Sequence, residues 1–191
     1  MKRAPELRDL SDHHHRGLVQ ARRLKMAATS DEANLPEETA EVFLEFWQGG
    51  TTTHFREEEE VLLPVLARYR EDILAREPVV KMLAQHARIR GLVMGLSDEV
   101  KVGGVRPQTL GSIGELLETH IRLEEREVFP TIEEALPEEA LREVAARLEA
   151  KESWPQGEPW VLAKGLSYDP LPGPGDSEGG GYDWPSRRSS R

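Results

Sequence analysis

Apolar side chains recur along this chain three and four residues apart, with Glu, Arg and Lys filling the positions between. That period belongs to helices that bury one face. Four long segments carry it. The first spans about Pro5 to Ala28, opens on a proline suited to a helix's first turn, and ends near Thr29-Ser30-Asp31. The second starts near Asn34 to Pro36 and reaches about Tyr69, with Pro64 expected to kink or stop it. The third runs from about Glu77-Pro78 to Val102, closed by Gly103-Gly104. The fourth runs from about Pro107 to Leu136, with Pro130 expected to interrupt it. A short fifth helix, Pro137 to Lys151, is amphipathic through Leu141, Val144, Ala145 and Leu148. No segment alternates at a period of two, so no sheet is expected and the fold class is all-α.

After Lys151 the composition shifts. Residues 1–151 read as one domain and residues 152–191 as a Pro/Gly/Ser-rich C-terminal tail, disordered from Pro172 onward. Between Trp154 and Leu171, three rings (Trp154, Trp160 and Tyr168) stand among prolines and glycines. This piece reads either as an extended strap across the bundle or as a floppy tail with exposed aromatics.

The strongest signal is an internal repeat. The second helix holds His54-Phe-Arg-Glu-Glu58-Glu-Glu-Val-Leu-Leu-Pro64, and the fourth holds His120-Ile-Arg-Leu-Glu124-Glu-Arg-Glu-Val-Phe-Pro130. Histidine, arginine, both glutamates, valine and proline recur at the same offsets. Each copy follows a helix with its own histidine, so the chain reads as two similar helix pairs.

Facing is counted at about 100° per residue. Around His54, the residues Phe43, Trp47, Glu58, Val61 and Val65 fall within roughly 40°. Ile113, Leu116 and Glu124 cluster near His120; Val79, Met82 and Val93 cluster near His86. On the first helix, Leu7, Leu10, Leu18 and Ala21 centre on His14, which is therefore taken as the inward residue, with His15 as the alternative. Four helices thus each set one histidine at a core position, and two add a glutamate one turn on. Buried ionisable groups are costly unless paired or bound to metal, and a cation shared by imidazoles and carboxylates removes that cost. Glu57, Glu59 and Glu60 read as a solvated face, Glu125 and Glu127 as residues just behind the ligands or at the surface. Glu127 lies near the inward face and is the one of these expected to touch the site.

Composition narrows the chemistry. The chain has no cysteine, which excludes disulfides, thiolate zinc sites, iron–sulfur clusters and cysteine nucleophiles; any metal has nitrogen and oxygen ligands. A formal net charge of −10 and a pI near 5.2 argue against a nucleic-acid surface. The charged N-terminus and the lack of a long apolar run give no signal peptide or membrane span, so a cytoplasmic location is the default expectation.

With these residues in hand, the chain resembles the hemerythrin-like HHE cation-binding family. The matching stretches are Leu10-Ser-Asp-His-His14-His-Arg-Gly-Leu18, His54-Phe-Arg-Glu-Glu58-Glu, Gln85-His86-Ala-Arg-Ile89 and His120-Ile-Arg-Leu-Glu124-Glu, within about residues 5–135. The resemblance implies an up-down-up-down four-helix bundle around a non-haem di-iron centre of two Fe ions. It implies that His14 and His54 bind one iron and that His86 and His120 bind the other. Glu58 and Glu124 would bridge them beside a water-derived group. Mn²⁺ and Zn²⁺ also suit such ligands. Two features depart from the oxygen-carrying hemerythrins: Arg90 stands where they have a further histidine, and the fourth helix reads HxxxE in place of HxxxxD. The implied site has six protein ligands, with open positions for water, dioxygen or nitric oxide. Arg90 would pair with a glutamate or an exogenous anion. The better match is therefore the symmetric two-half HHE type, linked with iron or oxygen sensing and handling.

Three functions are compatible with this reading. The leading one is a binding protein that stores, senses or scavenges through iron and dioxygen. The others are a di-iron oxidase or peroxidase-like enzyme, and an interaction module in which the metal is a structural clip. The apparently filled helical faces, rich in Leu, Val and Phe, weigh against an enzyme with a substrate cavity.

Overall fold

A computed structural model describes residues 3–32 and 34–150 of the chain. The expectations for the tail from residue 152 lie outside the described residues, as does the last residue of the fifth helix.

A 3₁₀ turn at Pro5–Leu7 leads into α1 (Arg8–Ala27). A second rod is built from α2 (Leu35–Phe46), a π-helical turn at Trp47–Thr51, α3 (Thr52–Glu57), a second π-helical turn at Glu58–Leu62, and α4 (Leu63–Leu74). The third rod is α5 (Glu77–Val102). The fourth joins α6 (Pro107–Leu123), a third π-helical turn at Glu124–Val128, and α7 (Phe129–Ala135). A shorter α8 (Glu138–Glu149) follows. No strand occurs among the described residues. The chain is an all-α helical bundle, as its period predicts.

Neither internal proline stops its rod. Pro64 and Pro130 each sit in the first turn of the α-segment that follows a π-helical turn. A proline lacks the N–H for the usual ladder bond and crowds the carbonyl four residues back. The wider turn before each proline absorbs that misfit. The second rod therefore continues past Tyr69 to Leu74, with its break at Arg70 (φ −149°, ψ 67°). The α5 helix ends as its glycines predict. Gly103 takes φ +69°, and its N–H bonds to the Val100 carbonyl at 3.1 Å.

The first and fourth rods pack most intimately, α1 along α6. Gly114 makes this approach possible: a Cβ there would stand 2.7 Å from the Ala21 carbonyl oxygen.

The apolar core is in two parts. One gathers Leu10, Val61, Met82, Leu123 and Val128 with α4, α7 and α8. The other gathers Ala21, Phe55, Ile89, Leu117 and Ile121 with α2. Where the two clusters meet, each rod sets a buried histidine, and the second and fourth rods add a buried glutamate. A polar layer thus crosses the middle of a bundle that is otherwise apolar at that depth.

Candidate metal centre

Each rod contributes one buried imidazole to this layer: His14 from α1, His54 from α3, His86 from α5 and His120 from α6. Glu58 and Glu124, each the first residue of a π-helical turn, are fully buried between them. The Nε2 atoms of His14 and His54 lie 3.0 Å apart, and those of His86 and His120 lie 3.2 Å apart. Glu58 approaches one ring of each pair, at 3.5 Å from His54 Nε2 and 3.3 Å from His86 Nε2. Glu124 stands 3.1 Å from His14 Nε2, 2.9 Å from His120 Nε2 and 3.5 Å from His86 Nε2. Two quartets result: His14, His54, Glu58 and Glu124, and His86, His120, Glu58 and Glu124. The two glutamates belong to both.

The outward Nδ1 atoms fix the rings. His14 Nδ1 is 2.6 Å from Glu125, and His86 Nδ1 is 2.7 Å from Glu59. His120 Nδ1 meets Gln85 Oε1 at 3.3 Å, and His54 Nδ1 lies 3.8 Å from Glu57. These carboxylates are themselves held. Arg90 grips Glu59 through two bonds of 2.7 and 2.9 Å, while Arg3 and Ser11 bond to Glu125 at 2.7 and 2.6 Å. A carboxylate or amide oxygen on the outer nitrogen leaves Nε2 as the free, electron-rich donor, the arrangement that orients metal-binding histidines. A looser third group, His13, His54 and Glu57, sits beside the first quartet with separations of 3.8 to 3.9 Å.

The electrostatics are those of a site short of positive charge. Burial alone would lower the His14 pKa, but the carboxylates of Glu124 and Glu125 outweigh it and raise the pKa to about 10. His86 is treated alike: burial opposes its charge, and Glu124, Glu58 and Glu59 push its pKa well above the ordinary value. Glu59 and Glu125 are each held down to about 2, burial notwithstanding, by the imidazoles and arginines they touch.

Whether a cation suits these residues is decided by the glutamates. All four carboxylate oxygens of Glu58 and Glu124 are buried, and none makes a hydrogen bond of good geometry; the groups around them are imidazole Nε2 atoms at 2.9 to 3.5 Å. A folded protein seldom leaves buried acceptors bare, so groups in this state point to a missing positive partner. The imidazole spacing agrees. Two ligands about 2.1 Å from one ion and about 90° apart stand about 3.0 Å from each other. The donor set of four nitrogens and two carboxylates suits a borderline transition-metal ion.

A hemerythrin HHE cation-binding domain model matches residues 6–132. The chain belongs to the hemerythrin HHE cation-binding family. Searches of curated proteins and of solved structures each gave no match.

Within the hemerythrin frame, every residue singled out in the sequence as a ligand lies in the layer: His14, His54, Glu58, His86, His120 and Glu124. His15, the alternative on the first helix, is exposed. Arg90, in the place of a further histidine, pairs with Glu59. Three readings of the acidic residues are corrected. Glu57 and Glu59 are not a solvated face: Glu57 is 1 % exposed, and Glu59 holds His86. Glu127, not Glu125, is the exposed one of that pair. The reason is the π-helical turn, which inserts one residue and rotates everything after Glu124 by roughly 100° relative to a straight α-helix. Val128 takes the inward place that a straight count gives to Glu127. The repeat itself held the missed signal, since a second glutamate follows the first in both copies.

The hemerythrin centre is also not sealed. A cavity of about 160 Å³ reaches it, bounded inside by His14, His54, His120 and Glu124. The helical faces are therefore less filled than their Leu, Val and Phe content suggests. No helix among the described residues is long and apolar enough to cross a membrane.

Proposed function

We propose that this hemerythrin-family chain is a non-haem di-iron-binding protein that handles iron and dioxygen, or nitric oxide, at its His/Glu centre. The observation that carries this reading is the pair of quartets sharing Glu58 and Glu124, with all four shared oxygens buried and faced by inward imidazole nitrogens, none in good hydrogen-bond geometry. His14 and His54 hold one ion, His86 and His120 the other, and the two glutamates hold both. Two adjacent irons supply, when bound, a store of electrons that a diatomic ligand can draw on. The protein's own part is positional. Glu125, Glu59 and Gln85 fix the imidazole rings, so that Nε2 faces inward. The two apolar clusters on either side lower the local polarity, which strengthens the charge interactions in the layer.

The test is elemental analysis of the purified full chain, with optical spectra of the anaerobically reduced protein before and after air. Two irons per chain, with near-ultraviolet charge-transfer bands growing in air, are expected. One zinc per chain, or no metal after incubation with ferrous iron, would overturn the reading. A single zinc would leave a metal-clipped interaction module in its place.

A further inference from the structure

The two halves of the bundle repeat one another, but the space beside the metal centre does not. Setting His54 against His120 places Gly49 and Gly50 opposite Glu115 and Leu116. Setting His14 against His86 places Gly17 opposite Ile89. One half therefore carries three glycines where the other carries side chains, and Ile89 is fully buried in its own half. The backbone differs as well. Gly49 and Gly50 lie in the π-helical turn Trp47–Thr51, whose counterpart Ile113–Leu117 is regular helix within α6. Glycine inside a helix costs about 1 kcal/mol against alanine. Gly49 and Gly50 thus leave open space beside His54, at a cost to the helix, whereas Gly17 lets Ile121 approach: a Cβ there would stand 2.7 Å from Ile121 Cδ1.

The result is the cavity of about 160 Å³. Its walls are mostly apolar, formed by Phe46, Phe55, Leu117 and Ile121 with Gly17. His13 and Arg16 also line it, with Gly49 and Gly50. At its inner end stand His14, His54, His120 and Glu124, the first quartet without Glu58 and one imidazole of the second. Phe55 stacks on His86, centroids 3.9 Å apart, and covers that ring. A diatomic molecule needs far less room: a water molecule's share of liquid is about 30 Å³, whereas an apolar cavity of about 150 Å³ accepts benzene.

We propose that this cavity binds a small organic molecule with an apolar body of about benzene size and one hydroxyl oxygen directed at the metal centre. The proposal rests on the di-iron reading for the role of that oxygen. The apolar stretch of wall formed by Phe46, Phe55, Leu117 and Ile121 selects the body, with Arg16 and His13 elsewhere on the lining. The inner end selects the hydroxyl, which can donate to Glu124 and present its oxygen to a cation.

The test titrates phenol and, separately, azide into the iron-loaded full chain, followed by calorimetry and by the charge-transfer bands. Phenol is also titrated into metal-free protein. Gly50→Phe is the blocking variant, and Gly49→Leu is the second. A Cβ on either glycine meets no atom within 4 Å, so each side chain enters open space and spares the packed core. The expected result is one phenol per chain in the wild type, binding at least tenfold weaker in a folded blocking variant, and azide and iron retained in both. Phenol that binds the variants equally, or fails to bind a wild type that takes up iron and azide, overturns the proposal. Phenol that binds metal-free protein and is lost in the variants, in a chain that takes no iron, supports the cavity while the di-iron reading falls.

Discussion

Replacing Glu58 by Gln exchanges a carboxylate for an amide of nearly the same shape and separates the needs of the fold from those of the metal. Glu58 is fully buried, and neither of its oxygens makes a hydrogen bond of good geometry. A buried polar group left without a partner costs about 1–3 kcal/mol, and more when charged. Part of that cost is offset in metal-free protein by the imidazoles of His86 at 3.3 Å and His54 at 3.5 Å. The amide carries no charge, so its burial costs less, and its carbonyl oxygen can still accept from the same imidazoles. Metal-free Glu58→Gln is therefore expected to be more stable than the wild type by about 1–2 kcal/mol, a rise in Tm of about 2–8 °C for a chain of this size. With metal the order reverses. A ligand present at about 100 times its Kd adds about 2.7 kcal/mol to the wild type, and the variant, having lost a group shared by both quartets, forfeits most of it. The assay is thermal unfolding by circular dichroism, once with chelator and once with ferrous iron under argon. A variant that melts below the wild type in chelator and still holds two irons would refute the reasoning, since Glu58 would then be a structural residue.

The remaining expectations concern the imidazoles, their outer partners and protons. His54→Ala or His120→Ala is expected to lose iron, while His13→Ala keeps two irons per chain by elemental analysis; full retention in either of the first two would remove that residue from the ligand set. Glu59→Gln and Glu125→Gln are each expected to weaken metal binding about 10- to 100-fold without unfolding the bundle, read by competition with a chelator of known affinity; unchanged affinity would show that the outer hydrogen bonds do not tune the site. His14, with a pKa of about 10, is protonated at pH 7 without metal, so uptake of iron is expected to release protons. Calorimetry in buffers of different ionisation enthalpy measures this release, and identical heats would contradict it. The same linkage sets the pH range of metal-free stability. The His14 contribution is complete below its ordinary value of 6.5 and lost as pH rises through 10. Those of Glu59 and Glu125 are complete above 4.5 and lost as pH falls toward 2. Tm measured across that range should be highest between these limits.

The amino-acid sequence determined the helices, their order and the inward set of His14, His54, Glu58, His86, His120 and Glu124, because a helix's period ties each residue's direction to its neighbours. It also held the two-fold repeat, which is visible without coordinates. Tertiary structure alone decided the rest. Facing counted at 100° per residue assumes a straight α-helix, and the π-helical turns at Glu58–Leu62 and Glu124–Val128 break that assumption where the count mattered most. That is why Glu127 points to solvent, while Glu59 and Glu125 reach across to imidazoles on other rods. Contacts between rods depend on how closely backbones approach, which no periodicity within one helix encodes. The cavity is the clearest case. Its walls come from three rods, and the open space at Gly49 and Gly50 meets side chains from rods distant along the chain.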